Sequence, residues 1–310
     1  MLPNTRGSKC ENRVASRWYK EVCWMLAHIE TLTAPQFSDS DLHILGIHIS
    51  DLDLEEQNPE PSSTLDTQFF EPIAESKLPI SSCASSDFHT VLPARRWHKK
   101  FNKKKDPHFL GRQLRNVIFM HEYGLEMKVP STWKSIDYNT EYTEAAKWST
   151  DYNDSPWHVF NASTPVNNHQ PHLILRVMFN CAGDNNLTRS ELIVLLNFIQ
   201  LAIKHQISAH KSRLGKGEGN NALIRKQLLM VSILNPAQAR ILQAYYDGML
   251  KIRRSKLYDF DNPCHREMMD LFMRWIRSRP CGNTGLKGTL TTIPESPEGE
   301  AIVVASVKRG

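Results

Sequence analysis

The sequence contains few of the residues and runs that mark specialised protein classes. Only six of its 310 residues are cysteine and 14 are glycine, which excludes a disulfide scaffold and a collagen-like repeat. Its 40% of apolar residues is ordinary, so a fully disordered chain is excluded as well. The longest apolar tract, Leu192 to Ile203, is interrupted by Asn197 and Gln200 and is shorter than the roughly 20 residues that cross a bilayer. We therefore expect a globular protein without membrane association, in which this tract is a buried helix.

The pattern of a secretory signal is also missing. The first thirty residues contain no apolar stretch long enough for export ahead of a small-residue cleavage site, and basic residues are spread through them: Arg6, Lys9, Arg13, Arg17 and Lys20. We therefore expect the protein in the cytoplasm or the nucleus, and not secreted. In such a reducing compartment the cysteines should be free thiols, since none forms a C-x-x-C pair.

No motif for a cofactor or a metal occurs either. Nucleophile elbows, Walker loops and dinucleotide fingerprints are absent from the sequence. The tight groupings of histidine and cysteine lack the paired spacing of a structural zinc site; they are His169 and His172, His205 and His210, and Cys264 and His265 with Cys281. We predict no cofactor and no metal.

Charge is segregated along the chain. Residues 51–94 hold nine acids against one base and are rich in proline and serine, a composition that buries too little apolar surface to offset chain entropy. Residues 51–105 are therefore predicted to be a disordered acidic linker that ends in a basic run. The run comprises Arg95, Arg96, Lys99, Lys100, Lys103, Lys104 and Lys105. It is compatible with nuclear import, with phosphate contact in a nucleic acid, or with a solvated charge run.

Residues 1–50 form the first predicted region. Its apolar side chains at Val14, Trp18, Val22, Met25 and Ile29 follow the spacing of one helix face. This amphipathic helix either docks on the protein's own core or binds a partner helix.

Residues 106–169 are predicted to hold a hairpin and an aromatic-rich loop. The apolar runs 117–120 and 125–129 flank Gly124, a turn former, which indicates a hairpin over Asn116 to Pro130. Six tryptophan and tyrosine residues between 131 and 160 alternate with turn-forming polar residues. These aromatic rings either anchor a long loop or line a groove that binds a sugar or a nucleobase.

The clearest pattern covers residues 170–281. A strand at His172 to Phe179 precedes a capping box, Thr188 to Glu191, and a long apolar helix. Further strands follow, with Asp247 and Gly248 as a strong hairpin signal, and then a helix from about His265 to Arg277. This order predicts an α+β fold, with an antiparallel or mixed sheet packed on two helices. Residues 282–310 are a tail or contain a final strand at Ile302 to Val307.

Five bases of this region are predicted to form a basic sheet face that could contact nucleic acid or a protein partner: Arg240, Lys251, Arg253, Arg254 and Lys256. Lys251 and Arg253 alternate with Leu250 and Ile252, so one face of that strand should be exposed to solvent.

Three segments carry a family resemblance: Met230 to Leu234, Ala239 to Gly248 and Ser255 to Phe260. They resemble a block in uncharacterised filamentous-fungal proteins, over about the last third of the chain. The resemblance implies no activity; it suggests only a context of fungal secondary metabolism.

The order of helices and strands is also similar to the core of restriction-endonuclease-like nucleases. Such enzymes place an acid near an acid-x-Lys tripeptide, so that two carboxylates hold Mg²⁺ while the ammonium steadies the attacking water. Glu126 and Lys128 form that tripeptide, and Glu122 lies across the Gly124 turn. These residues are either a catalytic site or the polar face of an exposed hairpin.

Taken together, the sequence favours a non-enzymatic interaction protein of the cytoplasm or the nucleus, whose protein partner it does not identify. A degenerate metal-dependent nuclease and an accessory protein of fungal secondary metabolism are the alternatives.

Overall fold

A computed structural model describes part of the chain. The described residues are 5–55, 69–78, 111–112, 114–116, 118, 122, 131–136, 156–166, 171–214, 226–261, 265–282 and 284, with the side chains of 5–12, 210–214 and 265–266 left out. The predicted basic run and the predicted last strand lie outside these residues, as do Glu126 and Lys128.

Four α-helices and one short 3-10 helix, Glu75–Lys77, have defined bounds. The α-helices are α1 Thr5–Thr31, α2 Asp39–Ile44, α3 Arg189–Leu214 and α4 His265–Ile276. Twelve strands accompany them: β1 Gln36–Phe37, β2 Ile47–Asp51, β3 Phe70–Glu71, β4 Trp133–Ser135, β5 Trp157–Pro165, β6 His172–Ala182, β7 Leu187–Thr188, β8 Gln227–Asn235, β9 Gln238–Tyr246, β10 Leu250–Arg254, β11 Tyr258–Asp259 and β12 Arg279–Pro280.

One mixed sheet organises the fold. It has eight strands in the order β2-β10-β9-β8-β6-β5-β4, with β11 paired to β9. The pairs β2–β10 and β6–β8 are parallel and the other pairs of this sheet are antiparallel. The parallel pair β6–β8 is connected through α3, as a parallel connection requires a crossover. The predicted α+β fold with a mixed sheet is confirmed.

The predicted regional boundaries do not separate independent units. The same sheet contains β2 from the predicted N-terminal region and β4 and β5 from the predicted hairpin and loop region. The boundaries at 50/51 and 169/170 therefore cut through one structure. Boundaries drawn from the order of segments in the sequence miss this, because β2 pairs with β10 across about two hundred residues of chain.

The sheet is buried on both faces. On one face, α1 and α3 pack against alternate strand residues such as Leu175, Met230 and Leu242. On the other, α4 packs against the intervening residues, together with buried side chains before and after the basic run. Double burial explains why β6 and β8 read as continuous apolar runs rather than as alternating strands.

Helix α1 docks on the protein itself, which is the first of the two predicted alternatives. Trp18, Val22, Met25 and Ile29 are buried in the core between α1, α3 and the sheet. Tyr246 on β9 donates from its hydroxyl to Glu21 Oε2 at 2.7 Å. The apolar stripe of α1 is therefore packed against the protein's own core.

Local signals at two element ends are confirmed. Glu191 Oε2 accepts from the Thr188 amide at 2.9 Å, while Thr188 Oγ1 accepts from the Glu191 amide at 3.1 Å, which is the predicted capping box. Asp247 and Gly248 lie in the turn between β9 and β10. Gly248 has a φ of +108°, a conformation that only glycine adopts at low cost.

Helix α3 contains a stretch, Arg189–Ala209, whose length and composition would suffice to cross a bilayer. Its residues from Leu192 to Ile199 are almost entirely buried between α1 and the sheet, as expected for the core helix predicted from the sequence.

Three predictions of local structure are wrong within the described residues. Ile118, assigned to the first strand of a hairpin, is helical, because a short apolar run fits a buried helix as well as a strand. Trp133 and Trp157, assigned to a loop, lie on β4 and β5. Parts of the predicted disordered linker are also folded: the buried apolar residues there are Leu52, Leu54, Phe69 and Phe70.

Candidate functional site

A buried ion pair connects α3 to the centre of the sheet. Arg240 and Glu191 are both fully buried, and their side chains meet in two contacts, one from Arg240 Nε to Glu191 Oε1 at 2.8 Å. Ser232 Oγ donates to Glu191 Oε1 at 2.6 Å, and Arg240 also donates to the carbonyls of Asp184 and Asn186. Burial raises the pKa of Glu191, but the charge and hydrogen bonds of Arg240, together with the hydrogen bonds from Ser232 and Thr188, more than offset it, and the pKa is lowered overall. The carboxylate stays ionised and the pair is structural.

The prediction of one basic sheet face is wrong. Arg240 is enclosed by the Glu191 pair, and Arg254 pairs with Asp39 of α2 at 3.1 Å. Arg254 is one residue from Arg253 and so points to the opposite face of β10. Lys256 follows the strand and pairs with Glu55 at 2.9 Å. Lys251 and Arg253 share one face, as their alternation with Leu250 and Ile252 predicted, whereas Arg240 and Arg254 lie on the other face, the one that carries Leu242.

A second buried ion pair lies on the other face of the sheet and involves Glu122. This carboxylate contacts the guanidinium of Arg176 on β6, which also donates to Asn161 Oδ1 and Ser163 Oγ at 3.0 Å each. Glu122 is helical and 7% exposed, so it is not on an exposed hairpin face. Its charge is already compensated by arginine, which does not favour the predicted magnesium site.

Metal-ligand side chains do not converge in the described part of the chain. No group of three or more His, Cys, Asp or Glu residues there is placed to hold a metal ion. Cys23, Cys181 and Cys281 are thiols and not disulfides. Burial raises the pKa of Cys181 and of Cys281 to about 11, which makes both thiols poor nucleophiles at neutral pH.

His172 is buried at the start of β6. Its Nε2 lies 3.2 Å from the carbonyl oxygen of Cys281, and since a carbonyl only accepts, Nε2 carries the proton. Phe70 contacts the imidazole edge-on with ring centroids 5.2 Å apart. Burial lowers the pKa of His172 to about 4, so the ring is neutral and holds the segment after α4 against the sheet.

A polar patch interrupts the apolar core on the same face as α4, at the β2 edge. The register places two rows of side chains next to each other: Gln227, Tyr245, Lys251 and His48 in one row, and Leu229, Gln243, Arg253 and Ser50 in the next. We call its seven polar members the polar corner: His48, Ser50, Gln227, Gln243, Tyr245, Lys251 and Arg253. Directly opposed residues on neighbouring strands have Cβ atoms about 5 Å apart and diagonal ones about 7–8 Å, so each of these side chains lies next to at least one other member of the corner.

Several polar atoms of this corner lack a hydrogen bond. Gln243 is 4% exposed and Gln227 is 1% exposed. Both amide atoms of Gln243, Nε2 of Gln227 and Nε of Arg253 are buried without a hydrogen-bond partner among the described residues. Each such atom costs about 1–3 kcal/mol of stability, and native proteins keep few of them. The polar corner is therefore the candidate functional site.

The electrostatics of the polar corner differ between its two cations. Lys251 Nζ lies 2.9 Å from Asp247 Oδ2 and 5.4 Å from the centre of the Tyr245 ring. Burial lowers the pKa of Lys251, but the hydrogen bond and charge of Asp247 together with the contacts of Tyr245 outweigh it, and the pKa is raised overall. Arg253 has no ion-pair partner among the described residues. The corner thus holds one compensated and one uncompensated positive charge.

A second surface feature is an exposed aromatic pair on α1. Trp24 is 65% exposed and stacks on His28, with ring centroids 5.5 Å apart and an interplanar angle of 5°. It points away from the stripe of α1 that packs on α3 and the sheet. A tryptophan this exposed is unusual, because most of its surface is apolar.

Sequence reasoning predicted two members of the polar corner and missed the others. Lys251 and Arg253 were predicted from alternation, whereas Gln227 begins and Gln243 interrupts a mainly apolar strand, and both were overlooked. A signal was present, since a glutamine inside an otherwise apolar strand is uncommon. The sequence does not reveal the strand register, which places Gln227 diagonally across from Gln243 on the neighbouring strand.

Comparison with known proteins adds no functional information. No family model matches the sequence, and no curated protein or solved structure is significantly similar to it. The resemblance to filamentous-fungal proteins stays a prediction.

Proposed function

We propose that this protein is a non-enzymatic interaction protein of the cell interior, which acts by binding another protein. The observation that carries the proposal is the exposure of Trp24 on the outer face of α1. Two buried carboxylates, Glu122 and Glu191, support it further, because each is held by an arginine and is therefore committed to the fold rather than to acid–base chemistry.

Trp24 has the properties of a binding anchor. Tryptophan is among the residues that contribute most to protein interfaces, where it fills an apolar pocket of the partner. Its stacking on His28 limits the movement of the indole before binding, and this lowers the entropic cost of association. The opposite face of α1 is buried in the core, so the helix presents Trp24 on a rigid support.

Affinity capture from cell extract with three forms of the protein tests this proposal. The forms are the wild type, Trp24→Ser and the control Ile44→Ser, which removes another exposed apolar side chain, 83% exposed. We expect a protein captured by the wild type and Ile44→Ser but not by Trp24→Ser. After purification it should bind Trp24→Ser at least tenfold more weakly, the equivalent of about 1.4 kcal/mol. Equal affinity for all three forms would contradict the proposal.

We also propose that the basic run directs the protein to the nucleus. The run lies outside the described residues, so its seven bases between Arg95 and Lys105 are the only support. Fluorescent fusions of the wild type and of a form with alanine at Lys99, Lys100, Lys103, Lys104 and Lys105 test it, and arginine at the same positions is the matched control. Nuclear accumulation should be lost with alanine and kept with arginine. An equal distribution of all three forms would remove this proposal.

A further inference from the structure

The polar corner combines buried hydrogen-bonding atoms with polar side chains that are partly or fully exposed. Gln227 and Gln243 lie at its buried side, whereas Lys251, Arg253 and Ser50 are half-buried and His48 is exposed. Among the described strands β2 is the last at this end of the sheet, so His48 and Ser50 form the outer side of the corner, from which a small molecule would enter. A protein surface would reach the two glutamines poorly, since each is at least 96% buried.

We propose that the polar corner is a binding site for a small organic acid, a monocarboxylate that carries a hydroxyl group beside the carboxylate. Arg253 Nε, Gln243 Nε2 and Gln227 Nε2 are three donors without partners, and Gln243 Oε1 is one acceptor without a partner. A carboxylate supplies acceptors for the donors, and an adjacent hydroxyl supplies the donor that Gln243 Oε1 lacks. The ligand thereby completes the hydrogen bonds that the protein leaves unmade.

The net charge of the polar corner favours a carboxylate ligand over a phosphate. Asp247 compensates Lys251 at 2.9 Å, so Arg253 is the one described residue of the corner whose positive charge has no carboxylate beside it. A single guanidinium matches a single negative charge, and its planar fork matches the planar carboxylate. A phosphate carries up to two charges at neutral pH and would leave one of them uncompensated in a partly buried site, where an unpaired charge is costly.

Binding of a defined probe tests the proposal. Titration calorimetry and thermal unfolding are carried out with lactate, acetate and inorganic phosphate on the full chain. We expect lactate to bind and to raise Tm, acetate to bind more weakly because it lacks the hydroxyl, and phosphate to have no saturable effect. At a lactate concentration about 100 times Kd the folding equilibrium should shift about 100-fold towards the native state.

Two neighbouring arginines provide a matched pair of variants. Arg253→Met removes the proposed donor, whereas the control Arg254→Met removes the same charge and volume on the opposite face of β10. Lactate should bind Arg254→Met as it binds the wild type, and at least tenfold more weakly to Arg253→Met. Equal binding to both variants would overturn the proposal.

Gln243→Leu separates the binding role from a structural one. If the amide serves a ligand, its removal should abolish lactate binding and raise Tm of the ligand-free protein, because two buried atoms without partners disappear. A fall in Tm would show that the amide stabilises the fold, for example through bound water, and would contradict a ligand role. Should a variant not fold, the wild type still decides: no saturable binding of lactate, or phosphate binding as strong as lactate binding, refutes the assignment.

Discussion

Arg240 on β9 and Glu191 on α3 enclose their opposite charges completely, with 0% of either side chain exposed. The carboxylate also accepts from Ser232 and from Thr188, and the guanidinium donates to the carbonyls of Asp184 and Asn186. The pair thereby connects the start of α3, the centre of the sheet and the segment before β7.

Removal of either charge should destabilise the protein strongly. Arg240→Met leaves Glu191 as an isolated buried charge, and such losses cost about 3–5 kcal/mol. The double variant Glu191→Gln/Arg240→Met, which buries no charge, should lose less than the sum of the two single variants. Urea unfolding measures all three, and additive losses would show that the two residues act independently.

Helix α1 should depend on the hydroxyl of Tyr246. Tyr246→Phe removes the hydrogen bond to Glu21 and keeps the edge-on contact between the Tyr246 and Trp18 rings, so we expect a loss of about 1 kcal/mol. Hydrogen exchange should report the weakening first in α1. Tyr258→Phe is the control, because the hydroxyl of Tyr258 has no hydrogen bond among the described residues, and its unfolding free energy should change by less than about 0.5 kcal/mol.

Stability should fall in acid because of His172. Its pKa is lowered to about 4 in the folded protein from 6.5, so the unfolded chain takes up the proton first as the pH falls. The free energy of unfolding should therefore be independent of this group above about pH 6.5 and decrease between about pH 6.5 and 4. The decrease is at most about 3 kcal/mol, at roughly 1.4 kcal/mol per pKa unit.

The variant His172→Gln keeps a donor for the Cys281 carbonyl and does not titrate, so its unfolding free energy should change less over this window. Urea unfolding at pH 7 and pH 4.5 provides the comparison, and His48→Gln, at an exposed position, is the control. A wild-type slope in His172→Gln would assign the acid sensitivity to other groups.

Arg189 should stabilise the end of α1. The Arg189 guanidinium at the start of α3 donates to the carbonyls of Ile29 and Glu30, which are among the carbonyls without an intrahelical partner at a helix end. Arg189→Met should cost about 1–2 kcal/mol and increase hydrogen exchange in the last turn of α1. Unchanged exchange there would indicate that water replaces the guanidinium.

Sequence reasoning succeeded where the signal was local. The capping box at Thr188 and Glu191 and the turn at Asp247 and Gly248 depend on residues within a few positions of each other, and both are confirmed. It failed for Arg240, which was predicted to lie on a basic sheet face, because its partner Glu191 is 49 residues away in sequence. The apolar residues near Leu54 and Phe69 were likewise hidden among acidic and proline residues.

The polar corner shows the same limit more sharply. Alternation placed Lys251 and Arg253 on one face, but only the antiparallel register sets Gln243 beside Arg253 and the β8 register sets Gln227 beside Tyr245. A pattern along one strand cannot reveal side chains that meet across three strands.

The docking of α1 has a consequence for synthesis of the chain. Trp18 and Glu21 leave the ribosome early, but Tyr246, which they contact, follows 225 residues after Glu21. At about 5–20 residues per second, the stripe of α1 waits at least ten seconds or so for β9, although α3 is synthesised earlier. During that interval the part of α1 that packs on β9 is uncovered, and chains that terminate before β9 would lack this contact.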